Sequence, residues 1–396
     1  MSSDNDDGGG VPIAKLYTQA MEESVSKRFA TSSGEAIECI NCMCHSTENL
    51  YRYKTTSIAR ASDDFYPARP ESHSVHLVNV AYNTLFVGEI CLPDWDMFQS
   101  KHKSSELHAA ARAIGGCPVY VSDKPGNHDI ELLKKLVLPT GQILRAQLPG
   151  RPTRDCIFTD VGRDGISALK VWNINNRVDN GNDENDGGVI GAFNVQGVSW
   201  NFDTNENEIL NASPPDVIAS IKPYDVDSFR RNIHQGPFVI WSHRTKSLQV
   251  LPTGDSTIET VLSQNEWEIF TIQPVQQNKK SDIHWAPIGL GHMLNSGGAL
   301  TDVGTLRTID DVITKADISC RGPGTFVSYC QPRPFQVIIH HDDDDDDDDD
   351  DTNGSSDDHH QLDFRYNKIN GLLEFDLPPE KNEKGAAHHV TVVWEQ

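Results

Sequence analysis

The sequence predicts an α/β part with a parallel sheet, followed by an all-β part of antiparallel strands. Over residues 36–137, short apolar segments alternate with helical patterns, which is typical of a parallel sheet with crossover helices. From about residue 140, β-branched and aromatic segments are separated by Pro, Gly and Asn at short intervals, which is typical of a sandwich. The 396 residues suffice for two or three domains.

Residues 1–12 are rich in Gly, Asp and Ser, and they predict a disordered N-terminus. The segment that follows predicts a helix with apolar side chains near one face: Leu16, Ala20, Met21, Val25 and Phe29.

Four units that each begin with a strand follow this helix. The predicted strands are 36–44, 57–62, 87–91 and 117–121, and the predicted helices are 75–86, 104–114 and 130–137. Four strands cannot close a barrel that needs eight. This α/β part, assigned to residues 13–140, is therefore either a portion of a (β/α)8 barrel or a small open layer.

The remaining residues, 141–396, predict an antiparallel β-sandwich. Its clearest strands are 168–173, 189–195, 237–242, 266–275, 324–330, 335–340 and 389–395. Two interruptions, 179–188 and 341–360, predict extended surface loops. The second contains ten consecutive aspartates, whose mutual repulsion predicts a disordered insertion without a catalytic role.

The composition argues against several classes of protein. The net charge is 34 − 58 = −24 with no basic stripe, which disfavours nucleic-acid binding. No run approaches the roughly 20 apolar residues of a membrane span. The N-terminus lacks the pattern of a secretory signal. We therefore expect a cytoplasmic protein, with a plastid location as the alternative if a targeting segment precedes residue 1.

The eight cysteines are ordinary usage for this length. Cys39, Cys42 and Cys44 lie close together beside His45, but a structural zinc site needs a second ligand pair at the right spacing. We interpret them as thiols of a buried strand, and we expect neither a metal nor a cofactor.

Polar residues follow three of the predicted parallel strands: Asp63-Asp64, Asp94-Trp95-Asp96 and Ser122-Asp123. In barrels, this edge of the sheet carries the catalytic groups. Adjacent carboxylates repel each other, so one of Asp63 and Asp64 could remain protonated as a general acid. Neighbouring residues on an extended strand point in opposite directions, so one of the two should face the barrel axis. Taken alone, the pair fits a solvated acidic turn better.

Trp95 between Asp94 and Asp96 suits a sugar, whose apolar face stacks on an indole while its hydroxyls bond to carboxylates. The equal alternative is a core tryptophan flanked by aspartates that cap a loop. Ser122 and Asp123 could extend this site, but such residues are common in turns.

Five segments, in order along the chain, resemble the plant raffinose synthase family: 60–67 (RASDDFYP), 81–85 (AYNTL), 93–98 (PDWDMF), 120–128 (YVSDKPGNH) and 148–156 (LPGRPTRDC). The forms Lys124-Pro125-Gly126 and Leu148-Pro149-Gly150 are similar to its seed-imbibition and alkaline α-galactosidase branch. The resemblance is strong over residues 14–175 and looser over 189–340.

The resemblance implies about strands five to eight of a retaining (β/α)8 barrel, followed by a β-sandwich. The activity it implies moves galactose from galactinol to sucrose by a ping-pong mechanism with two carboxylates. The acid/base in related barrels lies four residues after an arginine, which corresponds to Asp64 after Arg60, with Asp63 as the fallback. The residues that it implies bind substrate are Arg60, Asp94, Trp95, Asp96, Ser122 and Asp123.

One motif of the family is missing. Its nucleophile lies in Lys-x-Asp-x-Gln, and no such motif occurs in these 396 residues. We therefore expect a truncated product or half of a split protein that is inactive by itself. The alternatives are an alkaline α-galactosidase acting on raffinose-type sugars, and a non-catalytic remnant that binds sugars.

Overall fold

The computed structural model describes residues 10–29, 39–175, 187–231, 235–278, 280–309, 313–340, 359–379 and 387–395. The first part has five helices: α1 (Gly10–Phe29), α2 (Thr47–Leu50), α3 (Pro70–Val87), α4 (Ser105–Gly115) and α5 (Ile130–Leu133). Its strands are β1 (Ile40–Asn41), β2 (Ile58–Arg60) and β3 (Leu92–Asp94). The predicted alternation of strands and helices is thus present.

The three strands form one parallel sheet in the order β1-β2-β3. Arg60, the last residue of β2, pairs with Asp94, the last residue of β3. Because neighbouring parallel strands end at the same edge of a sheet, the residues that follow β2 and β3 lie side by side. The sheet and the helices that cover it share one apolar core, which includes Ala59, Leu77 and Ile114.

Two of the predicted strands differ from the structure. The prediction of a strand at 87–91 is wrong, because α3 extends through Val87 and its carbonyl accepts hydrogen bonds from Ile90 and Cys91 in a turn. The strand begins only at Leu92, whose N–H donates to Ser57. The segment 117–121 makes a single parallel bridge, between Val121 and Phe98, instead of a strand.

Helix α1 is present as predicted, but its inner face differs. The helix begins at Gly10, before the predicted boundary, and residues 1–9 lie outside the described part of the chain. Leu16 and Phe29 are exposed, whereas Thr18 and Glu22 are its buried residues. The apolar pattern misplaced this face because its central contact is polar: Glu22 accepts hydrogen bonds from the backbone of residues 54–56.

The rest of the described chain is mostly strands. The first group is β4 (Arg151–Pro152), β5 (Leu169–Asn175), β6 (Gly187–Phe193), β7 (Val198–Asn201), β8 (Glu206–Ile209), β9 (Val217–Ile221), β10 (Phe238–Ser242), β11 (Ser247–Leu251), β12 (Ile258–Leu262) and β13 (Trp267–Pro274), with a short helix α6 (Asp227–Arg231). Six of them form an antiparallel sheet in the order β11-β10-β13-β6-β5-β4, while β9 pairs with β12 and β7 with β8.

The second group is β14 (Gln276–Asn278), β15 (Ile283–Leu290), β16 (Leu300–Asp302), β17 (Leu306–Ile309), β18 (Ile313–Cys320), β19 (Gly324–Gln331), β20 (Gln336–His340), β21 (His359–Leu362), β22 (Phe364–Asn367), β23 (Leu372–Leu377) and β24 (His388–Glu395). These strands form two sheets, β14-β15-β19-β23-β22 and β16-β18-β24-β20-β21, and β17 pairs with β18. Their facing side chains share one core, as in a sandwich.

The six-stranded sheet is a layer that the prediction of one sandwich did not contain. Every residue of β5 is buried, because Val171 faces the core of the α/β part and Trp172 faces a second core beside β9 and β12. The sequence of a strand in a sheet that is covered on both faces is a continuous apolar run instead of an alternating pattern. The boundary between residues 140 and 141 remains a prediction.

Both predicted loops lie mainly outside the described residues, at 179–186 and 341–358. The residues of the predicted insertion that the structure does describe, 359 and 360, belong to β21, and Gly187 and Gly188 belong to β6. No helix in the described ranges has both the length and the apolar character to cross a membrane.

Candidate active site

Arg60 is the centre of a cluster of carboxylates at the carboxyl edge of the parallel sheet. Its Nε lies 2.8 Å from Asp94 Oδ2, and its Nη2 lies 2.7 Å from Asp96 Oδ1. Its Nη1 lies 3.2 Å from Asp64 Oδ1. Three of the predicted site residues thus meet on one guanidinium.

The cluster is buried at its base and open at its top. The side chains of Asp94 and Asp96 are 0% exposed, that of Arg60 is 11% exposed and that of Asp64 is 61% exposed. Burial opposes the charge on Arg60, but the hydrogen bond to Asp94 and the charge of Asp96 outweigh it and raise the pKa of Arg60 above its ordinary value. Buried charges of this kind require such pairing.

Local backbone geometry places the two buried carboxylates. Asp94 pairs in register with Arg60, and Asp96 has a left-handed φ of +64°. Asp96 Oδ2 accepts the backbone N–H of Phe65 at 2.7 Å, which ties the loop after β2 to the loop after β3. A left-handed aspartate is uncommon, so this turn is held by its surroundings.

Asp63 and Asp64 are placed differently, as alternation along an extended segment predicts. Asp63 is half-buried; its N–H donates to Asn79 Oδ1 at 3.2 Å, and its Oδ1 accepts the N–H of Asp64 at 2.9 Å. Of the two side chains, that of Asp64 contacts Arg60, and its other oxygen lies 3.5 Å from the hydroxyl of Tyr66.

The interpretation of Trp95 as a surface for stacking a sugar is not supported. Trp95 is 1% exposed and belongs to the apolar core, where its ring packs close to Gly115. A ring enclosed in this way has no free face for a ligand. The alternative of a core tryptophan between two aspartates is the arrangement in the structure.

Asp123 is bonded within its own part of the chain, and its side chain is 3% exposed. Its Oδ1 accepts the N–H of Ser100 at 2.8 Å, and its Oδ2 accepts the Ser100 hydroxyl at 2.6 Å and faces His128 Nδ1 at 3.1 Å. Burial opposes its ionisation, but these hydrogen bonds outweigh burial and lower the pKa of Asp123 below 3.8. Asp123 therefore holds the loop together, and Ser122 beside it is half-buried.

Tyr120 is a member of the site that sequence reasoning missed. Its hydroxyl donates to Asp94 Oδ2 at 2.8 Å and accepts from Arg60 Nη2 at 3.4 Å. Burial and the negative charge of Asp94 raise the pKa of Tyr120 above its ordinary value of 10. Its position two residues before Ser122 in a strand-like segment was the available signal, because alternate residues share a face.

The site as a whole suits a ligand rich in hydroxyls. It combines one guanidinium with the carboxylates of Asp64, Asp94 and Asp96, so it offers acceptors and is net negative. Asp94 Oδ1 is buried and has no hydrogen-bond partner among the described residues. Buried oxygens of this kind are normally bonded, and because the Asp94 side chain is 0% exposed, a ligand hydroxyl could reach this oxygen only after the residues that cover it move.

The described residues contain no group of three or more His, Cys, Asp or Glu placed to hold a metal ion. Cys44 is buried, whereas Cys39 is half-buried and Cys42 is exposed. Of the three expected thiols of a buried strand, Cys44 alone is buried, and none of the three lies in β1.

Comparison with known proteins gives a consistent group of similarities. The family model described as "raffinose synthase or seed imbibition protein Sip1" matches residues 2–354. The probable galactinol–sucrose galactosyltransferase 1 of Arabidopsis thaliana is 41% identical over 381 residues, covering 94% of this chain and 46% of the relative. The galactinol–sucrose galactosyltransferase of Oryza sativa subsp. japonica is 36% identical, covering 83% of this chain and 41% of the relative. The chain spans about half the length of the curated relatives it matches.

Among solved structures, the α-galactosidase from Saccharomyces cerevisiae with raffinose aligns with a TM-score of 0.44 at 10% identity, covering 69% of this chain and 71% of that one. The α-galactosidase I from Mortierella vinacea aligns with a TM-score of 0.42 at 10% identity, covering 67% and 64%.

Proposed function

The chain belongs to the raffinose synthase and seed imbibition protein family, and from this we propose that it carries the acid/base half of a galactinol–sucrose galactosyltransferase site. In this proposal, Asp64 is the general acid/base and Asp63 is the fallback. Arg60, Asp94 and Asp96 bind the hydroxyls of the galactosyl group. The parallel strands would be part of strands five to eight of a (β/α)8 barrel.

The observation that carries the proposal is the junction of Arg60 with Asp64, Asp94 and Asp96. One exposed carboxylate stands beside two buried ones, and the guanidinium fixes all three. An acid/base must reach the glycosidic oxygen, and among these three carboxylates Asp64 is the one open to solvent. Asp94 Oδ1 has no hydrogen-bond partner among the described residues and would accept a sugar hydroxyl once the residues that cover it move.

In a retaining transfer, one carboxylate attacks the anomeric carbon while a second protonates the leaving oxygen. In the second half-reaction, the protonating group becomes the base that removes the proton of the acceptor hydroxyl. Asp64 would fill this role for galactinol as donor and sucrose as acceptor. The proposal places no nucleophile in this chain, because the chain contains no Lys-x-Asp-x-Gln motif.

Sugar binding by the full chain tests the site without requiring turnover. We expect ligand-observed NMR to detect the binding of galactose and galactinol to the chain. We expect Asp94→Asn to weaken this binding roughly 10- to 100-fold, because a charge-assisted hydrogen bond is lost. Asp225→Asn is the matched control, because Asp225 is a largely buried carboxylate paired with Lys170 rather than with Arg60. Failure of the unaltered chain to bind any α-galactoside would refute the proposal.

Complementation with the missing half of the barrel tests the acid/base role of Asp64. The chain is combined with the upstream half of the Arabidopsis relative, and raffinose formed from galactinol and sucrose is measured. We expect Asp64→Asn to lower the rate about 10²- to 10⁴-fold, as loss of a general acid does, and Asp63→Asn to lower it less. The reverse ranking would move the acid/base to Asp63. Release of free galactose without raffinose would favour the alternative of an alkaline α-galactosidase. Sugar binding without turnover would favour the alternative of a non-catalytic remnant that binds sugars.

A further inference from the structure

Arg112 lies on α4 directly behind the carboxylate cluster and is completely buried. Its Nη2 donates to the backbone carbonyls of Trp95 at 2.5 Å, Asp96 at 3.2 Å and Met97 at 3.4 Å. These carbonyls form the turn in which Asp96 adopts its left-handed conformation. The guanidinium therefore holds the backbone of the loop after β3 from the inside.

Arg112 also contacts two buried histidines. Its Nη2 lies 3.0 Å from His76 Nε2, and its Nη1 lies 2.8 Å from His108 Nδ1. A guanidinium has donors only, so His108 Nδ1 must accept from Nη1, whereas Nη2 has two hydrogens to share between His76 Nε2 and the three carbonyls. His76 Nε2 also lies 3.0 Å from the carbonyl oxygen of Trp95, which accepts from the same Nη2.

This constraint determines where the histidine protons are. We assign the proton of His76 to Nδ1, because Nδ1 lies 2.8 Å from the acceptor-only carbonyl of Asp63 and Nε2 faces the donors of Arg112 as well as the Trp95 carbonyl. His108 must carry its proton on Nε2, which donates to His73 Nδ1 at 2.8 Å and leaves the proton of His73 on Nε2. Each imidazole in the set therefore has one defined tautomer.

The histidines are neutral in this arrangement. Burial and the positive charge of Arg112 hold the pKa values of His76 and His108 well below 6.5. Burial, together with the charges of His102, Lys103 and Arg112, lowers the pKa of His73 to about 4. At pH 7 the nitrogens that face Arg112 can therefore accept its hydrogen bonds.

We propose that Arg112 is a positioning residue that holds the loops after β2 and β3 in register, directly at Trp95–Met97 and through His76 at Asp63. The register matters because the hydrogen bond from Phe65 N–H to Asp96 Oδ2 spans the two loops, and Arg60 bridges Asp64 on one loop to Asp96 on the other. The link of this register to acid/base chemistry rests on the proposed function. The hydrogen-bond network around Arg112 does not depend on the proposed function.

Hydrogen exchange of individual backbone amides in the full chain tests this assignment. We expect Arg112→Met to reduce the protection of the Phe65 amide by at least about tenfold relative to amides of β5, because the Asp96 turn loses its support. Arg321→Met is the control: Arg321 is a half-buried arginine that, like Arg112, donates to a backbone carbonyl, that of Gly298 at 2.9 Å, but it lies in the sandwich. Equal loss of Phe65 protection in both variants would overturn the proposal.

Two substitutions of His76 separate positioning from general destabilisation. The amide nitrogen of an asparagine can replace Nδ1 as the donor to Asp63, whereas that of a glutamine lies nearer to the position of Nε2. We expect His76→Asn to retain Phe65 protection within about twofold and His76→Gln to lose about tenfold or more. The same loss in both variants would show that His76 acts only by filling space.

The tautomers give a spectroscopic test that needs neither sugar nor turnover. Long-range ¹H–¹⁵N spectra should show the proton on Nδ1 of His76 and on Nε2 of His108, and Arg112→Lys should alter the His108 signal. A proton on Nε2 of His76 in the unaltered chain would overturn the network. A chain that shows these tautomers but binds no galactoside would refute the proposed function alone.

Discussion

At the scale of single residues, Glu22 shows how a buried carboxylate fixes a helix to the sheet. Its oxygens accept the N–H groups of Lys54, Thr55 and Thr56 at 2.8, 2.6 and 3.1 Å, and it also accepts the Thr56 hydroxyl. Burial opposes ionisation, but these hydrogen bonds outweigh it and hold the pKa of Glu22 below 4.5. A carboxyl with a lowered pKa stabilises the fold above its ordinary pKa, and this stabilisation is lost as the pH falls through the lower folded value.

We therefore expect Glu22→Gln to lower the free energy of unfolding at pH 7 by about 1–3 kcal/mol. The deficit should shrink as the pH falls below 4.5, where the parent also loses the charge. Glu23→Gln is the control, because Glu23 is exposed and lies 3.8 Å from Lys27, so its loss should be under about 1 kcal/mol. Urea unfolding at several pH values measures both. A deficit that does not change with pH would contradict the role of the charge.

At the scale of elements, the end of α4 sets how closely the α/β part approaches the next segment. The helix ends at Gly115, and Gly116 has a left-handed φ of +66°. A Cβ on Gly116 would lie 2.0 Å from the carbonyl oxygen of Leu148. Glycine is therefore required here both for its conformation and for the close approach of the two backbones.

Two glycine substitutions separate these requirements. Gly126 has a φ of +76° and open space around a Cβ, so Gly126→Ala should cost about 1–2 kcal/mol for the left-handed conformation alone. Gly116→Ala should cost about 1–3 kcal/mol more, because the backbone must also shift. Denaturant unfolding of the two variants gives the difference. Equal losses would show that the contact with Leu148 is relieved without cost.

At the scale of the whole molecule, a reciprocal amide pair joins the six-stranded sheet to the sandwich. Asn175 Nδ2 donates to Asn295 Oδ1 at 2.8 Å, and Asn295 Nδ2 donates to Asn175 Oδ1 at 2.9 Å. Asn295 also donates to the carbonyl of Leu144 at 3.3 Å. Both side chains are buried, so the pair connects three distant segments without exposure to solvent.

A double-mutant cycle measures this connection. Asn175→Ala and Asn295→Ala should each cost about 1–3 kcal/mol, because each leaves a buried amide without its partner. The double variant should cost less than the sum by about 0.5–3 kcal/mol. Additive losses in urea unfolding would mean that the two amides do not depend on each other.

The elements most fully predicted from sequence were those with strong local patterns. The run that became β5, buried on both faces, and the alanine-rich α4 were both located to within two residues. The predicted strand at 87–91 failed because α3 extends through Val87 and the residues after it form a turn whose N–H groups donate to the last turn of the helix. The face of α1 was misjudged because a carboxylate, Glu22, is its buried centre, and periodicity counts only apolar residues.

In the site, the sequence by itself determined which carboxylates follow β2 and β3. It also determined that these carboxylates lie close together, because neighbouring parallel strands end at the same edge of the sheet. Only the tertiary structure decided that Trp95 lies in the core, that Asp123 is bonded to Ser100, and that Arg112 lies behind the carboxylate cluster. A sequence pattern encodes the face of a strand over a few residues. Burial of a side chain and the partner of a hydrogen bond depend instead on segments distant in the chain, such as α4 behind β3 or Tyr120 beside Arg60, which local spacing does not specify.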